Sequence, residues 1–395
     1  MEENEKSRYE ESLRYVTYYW DKITFYYPRD KGKQLGLPHK FVSPNSVIFR
    51  NDQFYWDSYF TILALVKQNK IKLAKGMVDN LIYLLDRFGI VPMRNRYYNL
   101  GTSQIPFLTS MAFEIFEVNK DKAWLLKVIN AAEKELKIYW MNAKLTETHF
   151  VYKGLSRYCD HYITHLGAEH ESGWDMTSRF HDRCLNYLPI DLNSCLYKYE
   201  MDIAKAYELV DNPRRSRKYK AQATARKKVI NELMWNEKQN FFCDYNYQSL
   251  QSSLFLSVAG FYPLWANLAT PEQAALIREH VLPLFEFEGG ITNTQTSGLS
   301  PEKKQHDHPN GWPPQQWIVI KGLLNYGFQQ DAERIARKWL DMNVKIFEET
   351  GKFWEKHNVE NCDIGVSNSG RYLLQSGFGW TNAVFIRLMS EFSFK

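Results

Sequence analysis

Six stretches of this chain place apolar residues at helical spacing, and that recurrence constrains the fold more than any other feature. In Lys72–Phe88, the residues Leu73, Met77, Leu81, Leu84, Leu85 and Phe88 fall on roughly one stripe. Lys122–Tyr139, Asp191–Leu209, Arg214–Leu233, Gln315–Leu324 and Ala332–Phe347 follow the same pattern. Asp211-Asn212-Pro213 supplies a stop and a start between two of them. Strand-like runs are few and short, with Phe150-Val151-Tyr152 and Phe241–Tyr245 as candidates. Paired helices in this number predict an all-α chain, as an α-barrel or an α-solenoid. No constant repeat length appears, so a closed barrel with irregular loops fits better than an open array. No Gly/Ser linker or shift of composition divides the chain. Residues 1–395 read as one domain, opening with an N-terminal helical segment over 1–41.

Several functional classes fall away on composition. Lys and Arg number 50 against 45 Asp and Glu, a net charge of +5, so no global basic field favours nucleic acid. The basic run Arg214–Lys220 lies on a predicted helix and reads as a solvated face. No stretch of about 18 apolar residues occurs, so no membrane-spanning helix is expected. The amino terminus is acidic and polar, without the apolar core of a signal peptide. Cys159, Cys184, Cys195, Cys243 and Cys362 are odd in number and scattered, which points to a reducing cytoplasm. His161-x-x-x-His165 and His306-Asp307-His308 match no strong zinc pattern, and no metal or other cofactor is expected. The unusual feature is aromatic: 12 Trp, 25 Tyr and 24 Phe, which suits a large core and a cleft that stacks on sugars.

Five connecting segments mix polar groups with aromatics and glycines. They are Phe49–Phe60, Val91–Pro106, Glu169–Phe180, Gln305–Trp312, and the stretch from Phe353 to Asn382. Four of the five set an acidic residue beside or close to Trp. Any one of these acids could be a helix cap. Together they have the composition of a sugar site, where rings cover the C–H face of a pyranose and carboxylates bind its hydroxyls. Glycoside hydrolysis needs two carboxyl groups flanking the scissile bond. Asp175, next to Trp174, suits the protonated general acid, because burial raises a carboxyl pKa. Glu355, followed by Lys356 and His357, suits the ionised base, because nearby positive charge favours the anion.

The same segments resemble the signatures of the trehalase family. Phe54-Tyr55-Trp56-Asp57-Ser58-Tyr59-Phe60 is similar to the first signature, and Asp307-His308-Pro309-Asn310-Gly311-Trp312 to the second. Glu171-Ser172-Gly173-Trp174-Asp175 through Arg179, Pro189-Ile190-Asp191-Leu192-Asn193 and Gln375–Asn382 resemble further family blocks, in order, over about residues 42–392. The resemblance implies an (α/α)6 toroid with its site at one end of the barrel. It also implies inverting hydrolysis of α,α-trehalose to two glucoses, with Asp175 as acid and Glu355 as base. The substrate contacts it implies or places nearby are Arg50, Trp56, Asp57, Gln104, Arg179, His306, Asp307, Asn310, Trp312, Arg371, Phe378 and Trp380. The partner expected is a small disaccharide or glycoside, bound by a monomer or small homo-oligomer.

The departures from the family pattern concern the substrate. Phe49 stands where the family has an arginine, with Arg50 one residue away. Met93 replaces a sugar-binding Asn, Thr102 an Arg, His306 a Trp, and Arg371 a Glu. A family segment that supplies an Arg and a Glu has no counterpart near Tyr162–Gly167. Arg50 and Arg371 add positive charge, so an anionic α-glycoside such as a glycosylglycerate is one alternative substrate. A non-catalytic sugar-binding protein is another reading, against which stands the presence of both Asp175 and Glu355.

Overall fold

A computed structural model describes residues 3–144, 148–302, 304–365 and 373–392. The described helices are α1 (Glu3–Ile23), α2 (Tyr55–Lys67), α3 (Ile71–Phe88), α4 (Leu108–Asn119), α5 (Lys122–Glu135), α6 (His165–Ser172) and α7 (Ile190–Leu209). They continue with α8 (Pro213–Met234), the short α9 (Tyr262–Trp265), α10 (Pro271–Leu276), α11 (Leu282–Phe285), α12 (Pro313–Asn325), α13 (Gln329–Thr350) and α14 (Gly379–Glu391).

Two layers follow from the packing. In the inner layer α2 packs on α4, α4 on α7, α7 on α9, α9 on α12 and α12 on α14, and α14 returns to α2. That closed ring of six is the inner layer of an (α/α)6 toroid. Around it α3 packs on α2, α5 on α4, α8 on α7, α13 on α12 and α1 on α14. The remaining outer position is filled by α10 and α11, where Phe285 meets Phe261 with ring centroids 5.6 Å apart.

Sequence dictates which helix goes where. An inner helix is enclosed on every side, so it must be apolar all round. In α2 every residue from Tyr55 to Val66 is buried. An outer helix buries one stripe only. In α3 the buried set includes Ala74, Met77, Leu81, Leu84 and Leu85, while Lys72 and Arg87 face solvent. The predicted break at Asp211-Asn212-Pro213 is a true helix start: Asn212 Oδ1 accepts the Arg215 amide, and Pro213 opens α8.

The N-terminal segment departs from expectation, since helix α1 stops at Ile23. Thr24–Phe25 then pairs with Phe41–Val42 as a two-residue antiparallel ribbon, so residues 24–41 are not helical. Strands are otherwise short: Phe150–Tyr152 forms one as expected, and the second run splits into Phe241–Phe242 and Tyr245–Asn246. One small sheet matters for the site. Asn310–Gly311 pairs with His357–Asn358, which pairs with Asp363–Ile364. It fixes the segment carrying Glu355 against the segment carrying Trp312.

Candidate active site

The loops that lead into the inner helices gather at one end of the ring. Trp56 and Asp57 lie in the first turn of α2, Trp312 immediately precedes α12, and Phe378 immediately precedes α14 with Trp380 in its first turn. Between them is a cavity of 540 Å³ whose lining includes Asp175 and Glu355 together with Trp56, Asp57, Gln104, His306, Trp312, Phe378 and Trp380. Its floor is a packed aromatic set. Trp56 and Trp380 meet edge to face at 5.8 Å, Trp312 and Trp380 at 5.6 Å, and His306 stacks on Trp312 at 4.0 Å. Gly173 is required here by two constraints. Its φ is +76°, and a Cβ would come within 3.1 Å of the Trp56 ring.

The two candidate carboxylates are held through their neighbours. The Trp380 indole N–H donates to the Glu355 carbonyl at 3.0 Å. The side-chain amide of Gln305 donates to the backbone carbonyl of Asp175. Oε1 of Gln305 accepts from Lys356 Nζ at 3.2 Å, and that ammonium lies 3.9 Å from Oε2 of Glu355. Burial lowers the Lys356 pKa, against the pull of Glu355 and Asp175, which both favour its charged form. One fully buried lysine thus feels both carboxylates. Burial pushes the Asp57 carboxyl up to about 8, and the charge of Glu355 adds to the shift. Burial thus favours the protonated form of Asp57, in which it can donate to a substrate hydroxyl. Burial and then Lys356 hold His306 well below its usual range, so its ring is a neutral platform.

Three expected substrate contacts sit behind the wall. Arg179 is fully buried and makes two-pronged ion pairs with Asp191 and Asp244 at 2.7–2.8 Å. Its guanidinium lies 4.7 Å from the Trp174 ring, so it braces the residue before Asp175 and does not line the cavity. Asp307 accepts from the Ser178 amide at 2.8 Å and from Thr177 Oγ1 at 3.1 Å, tying the fourth segment to the third. Asn310 Nδ2 donates to the Gln305 carbonyl at 3.1 Å. Arg50 also lies away from the cavity lining, with its guanidinium over the Phe25 ring at 5.5 Å. Arg371 lies outside the described residues. The charge argument for an anionic substrate thus loses Arg50.

The structure adds residues that sequence reasoning did not assign to the site. Gln305, the first residue of the fourth segment, is the hub between acid, base and Trp312. Arg94, Tyr98, Asn99, Tyr162 and Leu166 line the outer cavity. No motif marks them. The two histidines of the His161-x-x-x-His165 pair diverge: His161 lines the cavity, whereas Nδ1 of His165 accepts the Leu185 amide at 3.2 Å. Among the described residues no group of three or more His, Cys, Asp or Glu side chains is placed to hold a metal ion.

The family model described as Trehalase matches residues 27–168 and 158–393. The chain belongs to the trehalase family. It is 32% identical to cytosolic neutral trehalase of Beauveria bassiana, over 89% of this chain and 58% of that protein. It is 34% identical to periplasmic trehalase of Xanthomonas oryzae pv. oryzae, over 90% of this chain and 68% of that protein. This trehalase-family chain thus spans little more than half the length of the first of these relatives. Among solved structures it superimposes on neutral trehalase from Saccharomyces cerevisiae with a TM-score of 0.79 at 29% identity, covering 89% of this chain and 73% of the other. A mannosylglycerate hydrolase from Thermus thermophilus shares the fold, with a TM-score of 0.69 at 15% identity over 95% of this chain and 99% of that one.

His357, two residues beyond Glu355, gives a pH prediction. Its ring is fully buried beside Trp339, and burial pushes its pKa down from 6.5 to about 3. Between those values the unfolded chain binds a proton that the folded chain does not. Stability from this group is therefore complete above about pH 6.5 and lost as pH falls towards 3. Each pH unit in that window costs up to about 1.4 kcal/mol per such histidine. His357→Phe is expected to flatten the acid limb of a urea-midpoint profile between pH 6 and 4. An unchanged slope would reject the assignment.

Proposed function

We propose that this chain is an inverting α-glycoside hydrolase that cleaves α,α-trehalose to two glucoses. The observation that carries the reading is the placement of Asp175 and Glu355 on one cavity with a tryptophan floor, in a chain of the trehalase family. Asp175 donates its proton to the leaving glycosidic oxygen. Glu355 takes a proton from a water that attacks C1 from the opposite face. The C1–O bond to the leaving sugar breaks, a C1–O bond to water forms, and charge balances at each carboxyl. Trp56, His306, Trp312, Phe378 and Trp380 cover the glycone, while Gln104 and protonated Asp57 meet its hydroxyls. Arg179, Asp307 and Asn310 act as positioning residues behind that wall. The chemistry needs no cofactor.

The closed ring supports one catalytic domain across the chain. The cysteines Cys159, Cys184, Cys195, Cys243 and Cys362 are free, which supports a reducing cytoplasm. Among the described residues no helix is long and apolar enough to cross a membrane.

Proton NMR of the protein with trehalose tests the reading. Inversion at one α bond releases one β-glucose and one α-glucose, so equal initial amounts of the two anomers are expected. Two α-glucoses would reject inversion, and no glucose would reject trehalose as substrate.

A further inference from the structure

The cavity has two tiers. The floor is closed: Trp56 is 3% exposed, Trp312 2% and Glu355 1%. The mouth is polar, with Asn99, Thr102, Asp160, His161 and Thr164 lining it beside the exposed ring of Tyr162. Asp160, His161, Tyr162 and Thr164 belong to one turn. The Ile163 amide donates to the Asp160 carbonyl at 3.0 Å, and the Thr164 amide to Asp160 Oδ1 at 3.1 Å. Thr164 Oγ1 in turn caps α6 by accepting the Gly167 amide at 2.9 Å.

Two glycines make room for the side chains of this turn. A Cβ on Gly167 would collide with Oδ2 of Asp160, and one on Gly101 with the His161 ring. Asp160 is only 5% exposed, yet it lines the cavity. Its Oδ1 is engaged by Thr164, whereas among the described residues nothing donates to Oδ2. Arg94, which also lines the cavity, is held by Asp52, Asn99 and the Tyr98 hydroxyl. A largely buried carboxylate oxygen is costly to leave without a donor. The capacity of Oδ2 is therefore available to a ligand in the mouth, and a sugar brings hydroxyl donors to it.

We propose that Asp160 is a specificity-determining residue for the leaving sugar: its Oδ2 accepts a hydroxyl of the second glucose of trehalose, with His161 and Tyr162 beside that ring. The inference rests on the trehalose reading above and deepens it. A site built to hydrogen-bond a hydroxyl discriminates against ligands that lack it, because its buried acceptor is then left unpaired.

The test compares kcat/KM on trehalose and on α-glucosyl fluoride. The fluoride needs the inner tier alone: water replaces fluoride at C1, Glu355 takes a proton from that water, and no second sugar is present. Asp160→Asn keeps an oxygen for the Thr164 amide and gives up the anionic acceptor. It is expected to lower kcat/KM on trehalose about 10- to 100-fold more than on the fluoride, the usual worth of a hydrogen bond to a charged group. Gly167→Ala should split the two substrates in the same direction, since its methyl displaces the Asp160 carboxylate while the amide that Thr164 caps is retained. Equal losses on both substrates in Asp160→Asn, which a role confined to folding would produce, overturn the assignment and leave the hydrolase standing. An unchanged rate on trehalose does the same. Absence of glucose release from trehalose by the unaltered protein overturns both.

Discussion

Asp175→Asn is expected to lower kcat on trehalose by about 10²–10⁴-fold, the usual contribution of one positioned acid or base. Glu355→Gln is expected to do the same for a different reason: without a base the attacking water keeps its proton. The two variants separate on substrates with a good leaving group. An aryl α-glucoside needs little proton donation, so it should restore much of the rate to Asp175→Asn and little to Glu355→Gln. Both carboxylates line one cavity, and both act electrostatically on the buried Lys356. Equal rescue of the two variants by an aryl leaving group would reverse or abolish the assigned roles. Full activity in either variant would remove it from the reaction.

Arg179→Leu is expected to give the largest loss of stability. The guanidinium is fully buried between Asp191 and Asp244, also buried, with four hydrogen bonds shared between them. Removing it strands two carboxylates in a place water does not reach. Breaking a buried pair from one side costs about 3–5 kcal/mol, which a urea or thermal midpoint registers directly. Adding Asp191→Asn and Asp244→Asn to Arg179→Leu should recover part of the loss, because no buried charge is then left uncompensated. If Arg179 contacted substrate instead, the single variant would lose activity with its midpoint unmoved.

The fate of Arg179 shows which parts of the molecule were legible in sequence. Its motif neighbours were readable, and they correctly place it near Asp175. Which side of the wall it occupies depends on Asp244, a residue 65 positions away that no local pattern announces. Asp307 is turned from the cavity in the same way, by Thr177 and Ser178 some 130 positions away. The fold divides along a similar line. The outer helices α3 and α13 have one wet face and one dry face, so their stripes are visible in the sequence. The inner helices α2, α4 and α14 are buried nearly all round, and periodicity vanishes when every face is apolar. Residues from Tyr55 to Phe60 therefore read as a loop, although they open α2. Tyr98, Tyr162 and Leu166 line the cavity without a motif to announce them, because nothing local distinguishes an exposed side chain at a cleft from one elsewhere on the surface.

The packing of α14 against α2 has a consequence for how the molecule comes to exist. These two helices bring Trp380 to Trp56, so the floor is assembled from residues that lie far apart along the chain. Contacts of such long range form late, after loop-closure entropy has been overcome. A species with most of its helices in place but α14 undocked would show nearly the far-ultraviolet circular dichroism of the native protein. It would lack the Trp380 indole that donates to the Glu355 carbonyl. Enzyme activity would then report closure of the ring, and its recovery during refolding should lag behind the return of the helical signal.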